Sequence, residues 1–181
     1  MMIIIQHGLF GDWGYNMSKK IFLVLLSLLI SVFILNGCVV LEPKNHYPTV
    51  LEISEDTSAK IVKCFDTKDV DTLKGVFCSK TQSEHNLDDE IKLMFEKYEG
   101  KSMSYEVSCA GPSGGYKDGE WFDKNITPKI KNLKTDTNKT YIITYFEYLI
   151  YDDNQDMIGI VSMSLRDSYG VILSKIGWYE E

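Results

Sequence analysis

The stretch Asn86-Leu87-Asp88-Asp89-Glu90-Ile91-Lys92-Leu93-Met94-Phe95-Glu96-Lys97-Tyr98-Glu99-Gly100 runs directly into Lys101-Ser102-Met103-Ser104-Tyr105-Glu106-Val107-Ser108-Cys109. The period of the apolar residues changes at Gly100. Before it, Leu87, Ile91, Met94 and Tyr98, with Phe95 beside them, recur every three or four residues and make one helical stripe. Asn86 stands at the cap position, and Asp88, Asp89 and Glu90 fill the first turn, where acids suit the positive end of the helix dipole. Gly100 can take the left-handed conformation that closes a helix. After it, Met103, Tyr105, Val107 and Cys109 alternate with Ser102, Ser104, Glu106 and Ser108. That is the period-two pattern of a one-faced strand.

Strand signals continue downstream. Gly111-Pro112-Ser113-Gly114-Gly115 turns the chain. Short strands are expected near Glu120–Phe122 and, after Pro128, near Lys129–Lys134. Thr135 to Asn138 turns again. Tyr141 to Tyr151 is aromatic and β-branched on both faces, which predicts a central strand. Asp152-Asp153-Asn154-Gln155 is a turn. Ile158 to Arg166 and Val171 to Trp178 complete the sheet. Upstream the period is helical. Ser54, with Glu55 and Asp56, is expected to open a helix whose stripe is Ile53, Thr57, Ile61 and Phe65. Thr67 or Asp69 caps a second short helix carrying Val70, Leu73, Val76 and Phe77, weakened by Gly75. Ser79 to Glu84 reads as a polar break. About three helices followed by four to six antiparallel strands is an α+β domain.

Ahead of that domain stands Met17-Ser18-Lys19-Lys20, an apolar run from Ile21 to Leu35, and Leu35-Asn36-Gly37-Cys38. A basic start, a run of about fifteen apolar residues and a small-residue site fit an export signal; a spanning helix needs about 20. Leu35-Asn36-Gly37-Cys38 resembles the lipobox of bacterial lipoproteins. The resemblance implies that Cys38 carries a diacylglyceryl thioether, palmitate-type chains included, and becomes the mature N-terminus. Two acyl chains give stable anchoring where one does not. An uncleaved short anchor is the competing reading. Residues 1–16 place Asp12, Trp13 and Tyr15 before the basic start and read as an upstream mis-start, with an unusually long leader as the alternative. The expected organisation is therefore 1–16 upstream start, 17–37 signal peptide, 38–49 lipidated tether and 50–181 one domain. The tether, with Pro43 and Pro48, would span roughly 20 Å.

Net charge is −7, and the single arginine is Arg166. No basic cluster is evident in the sequence, so nucleic acid is not an expected partner. Beside an anionic membrane an acidic domain would stand off on its tether. Cys64, Cys78 and Cys109 remain after lipidation. Three buried thiols are the favoured reading over a Cys64–Cys78 bridge. With His46 and His85 as the only mature histidines and no C-x-x-C pair, neither a metal nor a cofactor is expected.

The remaining constellations are mostly ordinary. Asp152-Asp153-Asn154-Gln155-Asp156 has oxygens at alternate places, but Met157 and Met163 stand where a calcium loop needs Gly and Glu. Gly111 to Gly119 with Lys117 lacks the Gly-Lys-Ser/Thr step of a phosphate loop. Asn125 and Asn138 head sequons that would be idle in a bacterial protein. Glu147 is the candidate of interest. It lies in a strand, in phase with Tyr145 and Tyr151. If that face is desolvated, its carboxyl rises in pKa and can act as a base. Tyr105, Trp121, Tyr145 and Trp178 are candidates to line a pocket, or to fill the core.

The order and lengths of the elements resemble the nuclear-transport-factor-2-like superfamily, the cone-shaped fold of ketosteroid isomerase, in which a curved sheet wraps the helices around an apolar pocket. The segments Ile61-Val62-Lys63-Cys64-Phe65-Asp66-Thr67-Lys68-Asp69, Leu87-Asp88-Asp89-Glu90-Ile91 and Ile158-Gly159-Ile160 further resemble a family of bacterial lipoproteins known as domain of unknown function 5104, over roughly Ser54 to Trp178. The resemblance implies an exported cone-fold domain and no particular activity. The expected function is a membrane-anchored, extracytoplasmic module that binds an unknown small ligand or envelope protein without catalysis. The alternative is a small isomerase or dehydratase using Glu147.

Overall fold

Thr49 opens the first helix. Its hydroxyl accepts the Glu52 N–H at 3.2 Å, and the Glu52 carboxylate accepts the Thr49 N–H at 2.7 Å. This reciprocal capping box starts α1 at Val50–Thr67, one turn earlier than Ser54. Ser54 instead lies inside the helix, fully buried, and its hydroxyl donates to the Val50 carbonyl at 2.7 Å. The acids Glu55 and Asp56 suggested a first turn that Thr49 and Glu52 actually form. The structure is a computed structural model, and it describes residues 48–177, within one compact unit. The proposed upstream start, the signal peptide and the tether as far as residue 47, Cys38 included, lie outside the described residues, as does Trp178; Thr49, expected to end the tether, instead caps the domain's first helix.

Lys68 closes α1 in the left-handed conformation, with φ +55°. Its ammonium reaches the carbonyls of Phe95 and Tyr98, at the far end of the fourth helix. Asp69 caps α2 (Val70–Lys74) by accepting the Thr72 N–H at 3.0 Å. Val76 and Phe77 do not extend that helix. Gly75 ends it, and Val76-Phe77-Cys78 runs extended beside Ile160, with bonds from Cys78 N–H to Ile160 carbonyl (2.8 Å) and from Ile160 N–H to Val76 carbonyl (3.1 Å). The next six residues correct the sequence reading. Ser79–Glu84 is not a break but a short helix, α3, with Cys78 at its cap. Its one buried residue, Thr81, donates to the Val161 carbonyl at 3.1 Å. Six polar-looking residues with one inward hydroxyl leave no apolar stripe to detect.

The fourth helix, α4, spans Leu87–Lys97 and buries Leu87, Ile91, Met94 and Phe95, as the stripe requires. Its ends differ from expectation. The Asn86 side chain makes no cap bond to the backbone and donates to Asp89 at 2.6 Å. Tyr98 leaves the helix in extended conformation, and Gly100, with φ +84°, makes the turn into the sheet. Lys68 Nζ donates to the orphan carbonyls of Phe95 (2.7 Å) and Tyr98 (2.8 Å), which satisfies the end of α4 from the end of α1.

The strands are β1 (Ser102–Ser108), β2 (Tyr116–Lys117), β3 (Glu120–Trp121), β4 (Asp123–Ile126), β5 (Lys129–Thr135), β6 (Thr140–Tyr151), β7 (Gly159–Asp167) and β8 (Ile172–Gly177). A six-stranded antiparallel sheet runs β1-β5-β6-β7-β8, with β4 on the far half of β6; β2 and β3 form a separate two-stranded ribbon. The fold is thus α+β with four helices rather than three. The long aromatic segment is central as expected. One core unites both layers. Phe65, Leu73, Ile91 and Met94 from the helices meet Ile130, Leu133, Ile143, Tyr145, Met163, Leu165 and Ile176 from the sheet. Phe65 meets Phe95 and Tyr98 edge-on, with ring centroids 5.1 and 5.2 Å away.

The clean alternation of β1 does not bury a clean face. Met103 is 73% exposed and Tyr105 36%. β1 is an edge strand paired only with β5, and register shifts on both sides of Ser104 break its phase.

Candidate functional site

The site candidate is the end of β6 that carries Tyr145 and Glu147. Tyr141, Ile143 and Tyr145 are buried on the core face of the strand, and Glu147 continues that phase. In register, Glu147 lies between Ile126 of β4 and Ile160 of β7. Both isoleucines are 1% exposed. Directly paired residues in an antiparallel sheet project to one face. The carboxyl is therefore flanked by two aliphatic side chains.

Its Oε2 is shut off from solvent and has no hydrogen-bond partner among the described residues. Burial alone pushes the carboxyl up to about 7, since an apolar site disfavours the charged form. Near neutral pH the acid and the carboxylate are comparably populated. Most buried polar atoms in proteins are bonded, and an unpartnered one costs on the order of 1–3 kcal/mol.

Tyr145 is spoken for. Its hydroxyl donates to the Ser54 carbonyl at 3.1 Å, and so accepts from the Ser58 hydroxyl at 3.2 Å. Both serines are fully buried on α1. Burial pushes the phenol well above its ordinary value, with smaller contributions from Glu147 and Cys109. Tyr145 thus pins α1 to β6 and has no proton left to polarise a ligand. An acid-base reaction at Glu147 would need such a second group.

The other sequence candidates are not gathered at this carboxyl. Tyr105 is on edge strand β1, separated from β6 by β5. Trp121 is on the β2-β3 ribbon, edge-on to Tyr116 at 5.2 Å, with the Lys124 ammonium 5.9 Å from its ring. Trp178 is not among the described residues. Cys64, Cys78 and Cys109 are free thiols; the first two are buried and Cys109 is half-buried, where burial of all three was expected. Burial raises Cys64. In the 152–156 segment the oxygens hold the turn. Asn154 accepts the Asp156 N–H at 3.0 Å, and Asp156 accepts the Ser79 hydroxyl at 3.0 Å. Within Gly111–Gly119, Tyr116–Lys117 is strand β2, and Asp118-Gly119, both at positive φ, make the tight two-residue turn into β3.

The motif residues that carried the family resemblance have structural duties. Asp66 accepts from the Ser102 N–H at 2.8 Å, from the Ser102 hydroxyl and from the Tyr98 hydroxyl at 3.3 Å. Lys68 closes α1, and Asp69 caps α2. Gly159, at φ +113°, lets the Cys78 backbone approach within 3.3 Å of where a Cβ would stand.

Fold and site together define an α+β domain in which a helical layer is pinned to an antiparallel sheet beside one unpartnered carboxyl. The model of the family described as Domain of unknown function (DUF5104) matches residues 60–171, from within α1 to the residue before the last strand. The chain belongs to that family. No curated protein matches it. Among the described residues, no helix is long and apolar enough to cross a membrane.

Proposed function

We propose that this protein is a lipid-anchored module on the outer face of the cell membrane that binds a small, largely apolar ligand through Glu147. The anchor part rests on the Met17 to Cys38 sequence, whose lipobox-like end would leave an acylated Cys38 on a short tether. The domain part rests on helices sharing one core with an antiparallel sheet, an arrangement similar to the nuclear-transport-factor-2-like cone. The observation that carries the binding reading is the buried Glu147 Oε2, in register with Ile126 and Ile160 and with no hydrogen-bond partner among the described residues. A ligand hydrogen-bond donor would remove that deficit and gain affinity from it.

Binding is favoured over catalysis because Tyr145, the polar group two residues away on the same face, is engaged by Ser54 and Ser58. The isomerase or dehydratase reading draws support from a carboxyl that titrates near 7. It still needs a second polarising group.

The test is mass analysis of the full-length protein extracted from membranes. Lipidation predicts an N-terminal peptide beginning at diacylated Cys38, lost in Cys38→Ala; an intact Met17 terminus would refute it. For the ligand, native mass spectrometry should show an adduct in the wild type that Glu147→Leu lacks. An adduct retained equally by the variant would sink the assignment to Glu147.

A further inference from the structure

A second site lies on the opposite half of the sheet, at the β1–β5 edge, where a backbone irregularity concentrates positive charge. Along β5, Ile130, Leu133 and Thr135 are buried, while Lys129, Lys131, Asn132 and Lys134 are exposed. Strict alternation would send Lys131 and Lys134 to opposite faces. Asn132 prevents this. It sits in the left-handed region, with φ +50°, and the β1–β5 register shifts there. The extra residue resets the phase, so Lys129, Lys131 and Lys134 share one face. Lys139 adds a fourth ammonium from the β5–β6 turn. Between positions 129 and 139 four lysines stand with a single acid, Asp136, so that a chain of net charge −7, expected to hold no basic cluster, does gather one along this strand and turn.

The space beside these lysines is concave. One cavity of about 450 Å³ is lined by Met103, Ser104, Lys134, Asn138, Lys139 and Thr140, with Thr135 and Asp136. A neighbouring one of about 240 Å³ shares Ser104 and Lys134 and adds Tyr105, Glu106 and Asn132. The two acids are partly accounted for. Asp136 Oδ1 accepts the Lys101 N–H at 2.9 Å, and Glu106 is in register with Lys131. Among the described residues, the ammoniums of Lys129, Lys131, Lys134 and Lys139 make no ion pair. Of these, Lys134 and Lys139 line the concavity, where unpaired cations attract and hold an anion.

The donor chemistry narrows the anion. Lysine offers a point charge with rotatable donors, and Ser104, Thr140 and Asn138 add hydroxyl and amide donors. No arginine fork is present to match a planar carboxylate, whereas ammonium and hydroxyl donors suit a tetrahedral phosphate. Met103, 73% exposed at the cavity wall, offers an apolar bed. The larger cavity has the size of a small-molecule site. We propose that the β1–β5 edge binds a small soluble phosphate ester, with Lys134 and Lys139 at the phosphate and Met103 against its organic part. This site is separate from the Glu147 carboxyl and does not depend on it.

The test is calorimetric titration of the full chain in detergent with inorganic phosphate and with butyl phosphate. Both should bind, butyl phosphate the more tightly, and both should weaken as salt rises from about 0.05 to about 0.5 M. Lys134→Gln and Lys139→Gln should each weaken butyl phosphate about fivefold, as expected of one exposed charge contact, and the double variant about 25-fold. Lys134→Arg should retain most of it, and circular dichroism of each variant checks the fold. Met103→Ser should weaken butyl phosphate and leave inorganic phosphate unchanged, and Glu147→Gln should change neither. Unaltered affinity in the double variant overturns the proposal, as does acetate binding as tightly as phosphate. Uptake by phosphatidylglycerol vesicles without binding of either soluble phosphate also overturns it, and assigns the surface to lipid headgroups.

Discussion

Replacing Glu147 by glutamine should convert a pH-dependent protein into a less pH-dependent one. The carboxyl ionises near 4.5 when exposed and near 7 in the folded chain, with burial as the cause. Between those values the unfolded state has already released the proton that the folded state still holds. Raising the pH therefore destabilises the fold, progressively from about 4.5, and the full penalty is present above about 7. A shift of roughly 2.5 units at about 1.36 kcal/mol each gives a penalty of about 3 kcal/mol. Below pH 4.5 both states are protonated and the penalty vanishes. Glu147→Gln does not titrate, so its stability relative to wild type should rise by about 3 kcal/mol between pH 4.5 and 8. A constant offset of about 1 kcal/mol, from burying an amide with imperfect partners, would move both ends equally. Urea denaturation at pH 4.5, 6 and 8 measures this directly. A difference between variant and wild type that stays flat across that range would refute the reasoning, since an exposed or paired carboxyl would give that result.

Further substitutions probe the frame around the site. Tyr145→Phe removes the donor to the Ser54 carbonyl and the acceptor of the Ser58 hydroxyl, and should cost about 1–3 kcal/mol by urea midpoint; adding Ser58→Ala should then cost little more, and full additivity would argue against the pairing. Thr49→Ala should cost about 1 kcal/mol and speed amide exchange in the first turn of α1, whereas Ser54→Ala should leave that turn protected. Gly159→Ala must hold φ +113° with a Cβ 3.3 Å from the Cys78 backbone, and should cost about 1–3 kcal/mol; an unchanged midpoint would mean that this approach is not tight.

The fold was largely written in periodicity. The switch at Gly100 separates the helical layer from the sheet. The stripe of α1 names its core residues only at Ile61 and Phe65, since Ser54 and Ser58 rather than Ile53 and Thr57 turn inward in its first turns. The stripe of α4 names its core residues because burial alone selected them. The central position of β6 was legible for the same reason, since both of its faces needed apolar cover. What escaped was local. α3 has a single inward residue, Thr81, and no stripe. The first cap was missed because Thr49 and Glu52 stand just outside the acidic Glu55-Asp56 pair that drew attention. β1 misled because alternation reports a face, not whether anything covers it. At the site, Glu147 was visible as a charge in phase with core residues. Its unpartnered oxygen was not, because the register that places Ile126 and Ile160 beside it depends on pairing with two strands and on irregularities in both pairings. The lysine face of β5 was hidden by a break in parity at Asn132, a residue whose αL tolerance is the one sequence signal that could have suggested it.

The Lys68 contact bears on the order in which the chain assembles. Its ammonium bonds carbonyls only 27 and 30 residues downstream. The Tyr145 hydroxyl, in contrast, closes onto Ser54 across 91 residues. Closing the shorter loop costs less chain entropy, so the pair of α1 and α4 can lock first and offer a template to the later strands. Pulsed hydrogen exchange during refolding should then show amides of both helices protected before those of β6. Simultaneous protection would mean that the stitch forms only as the sheet closes over it.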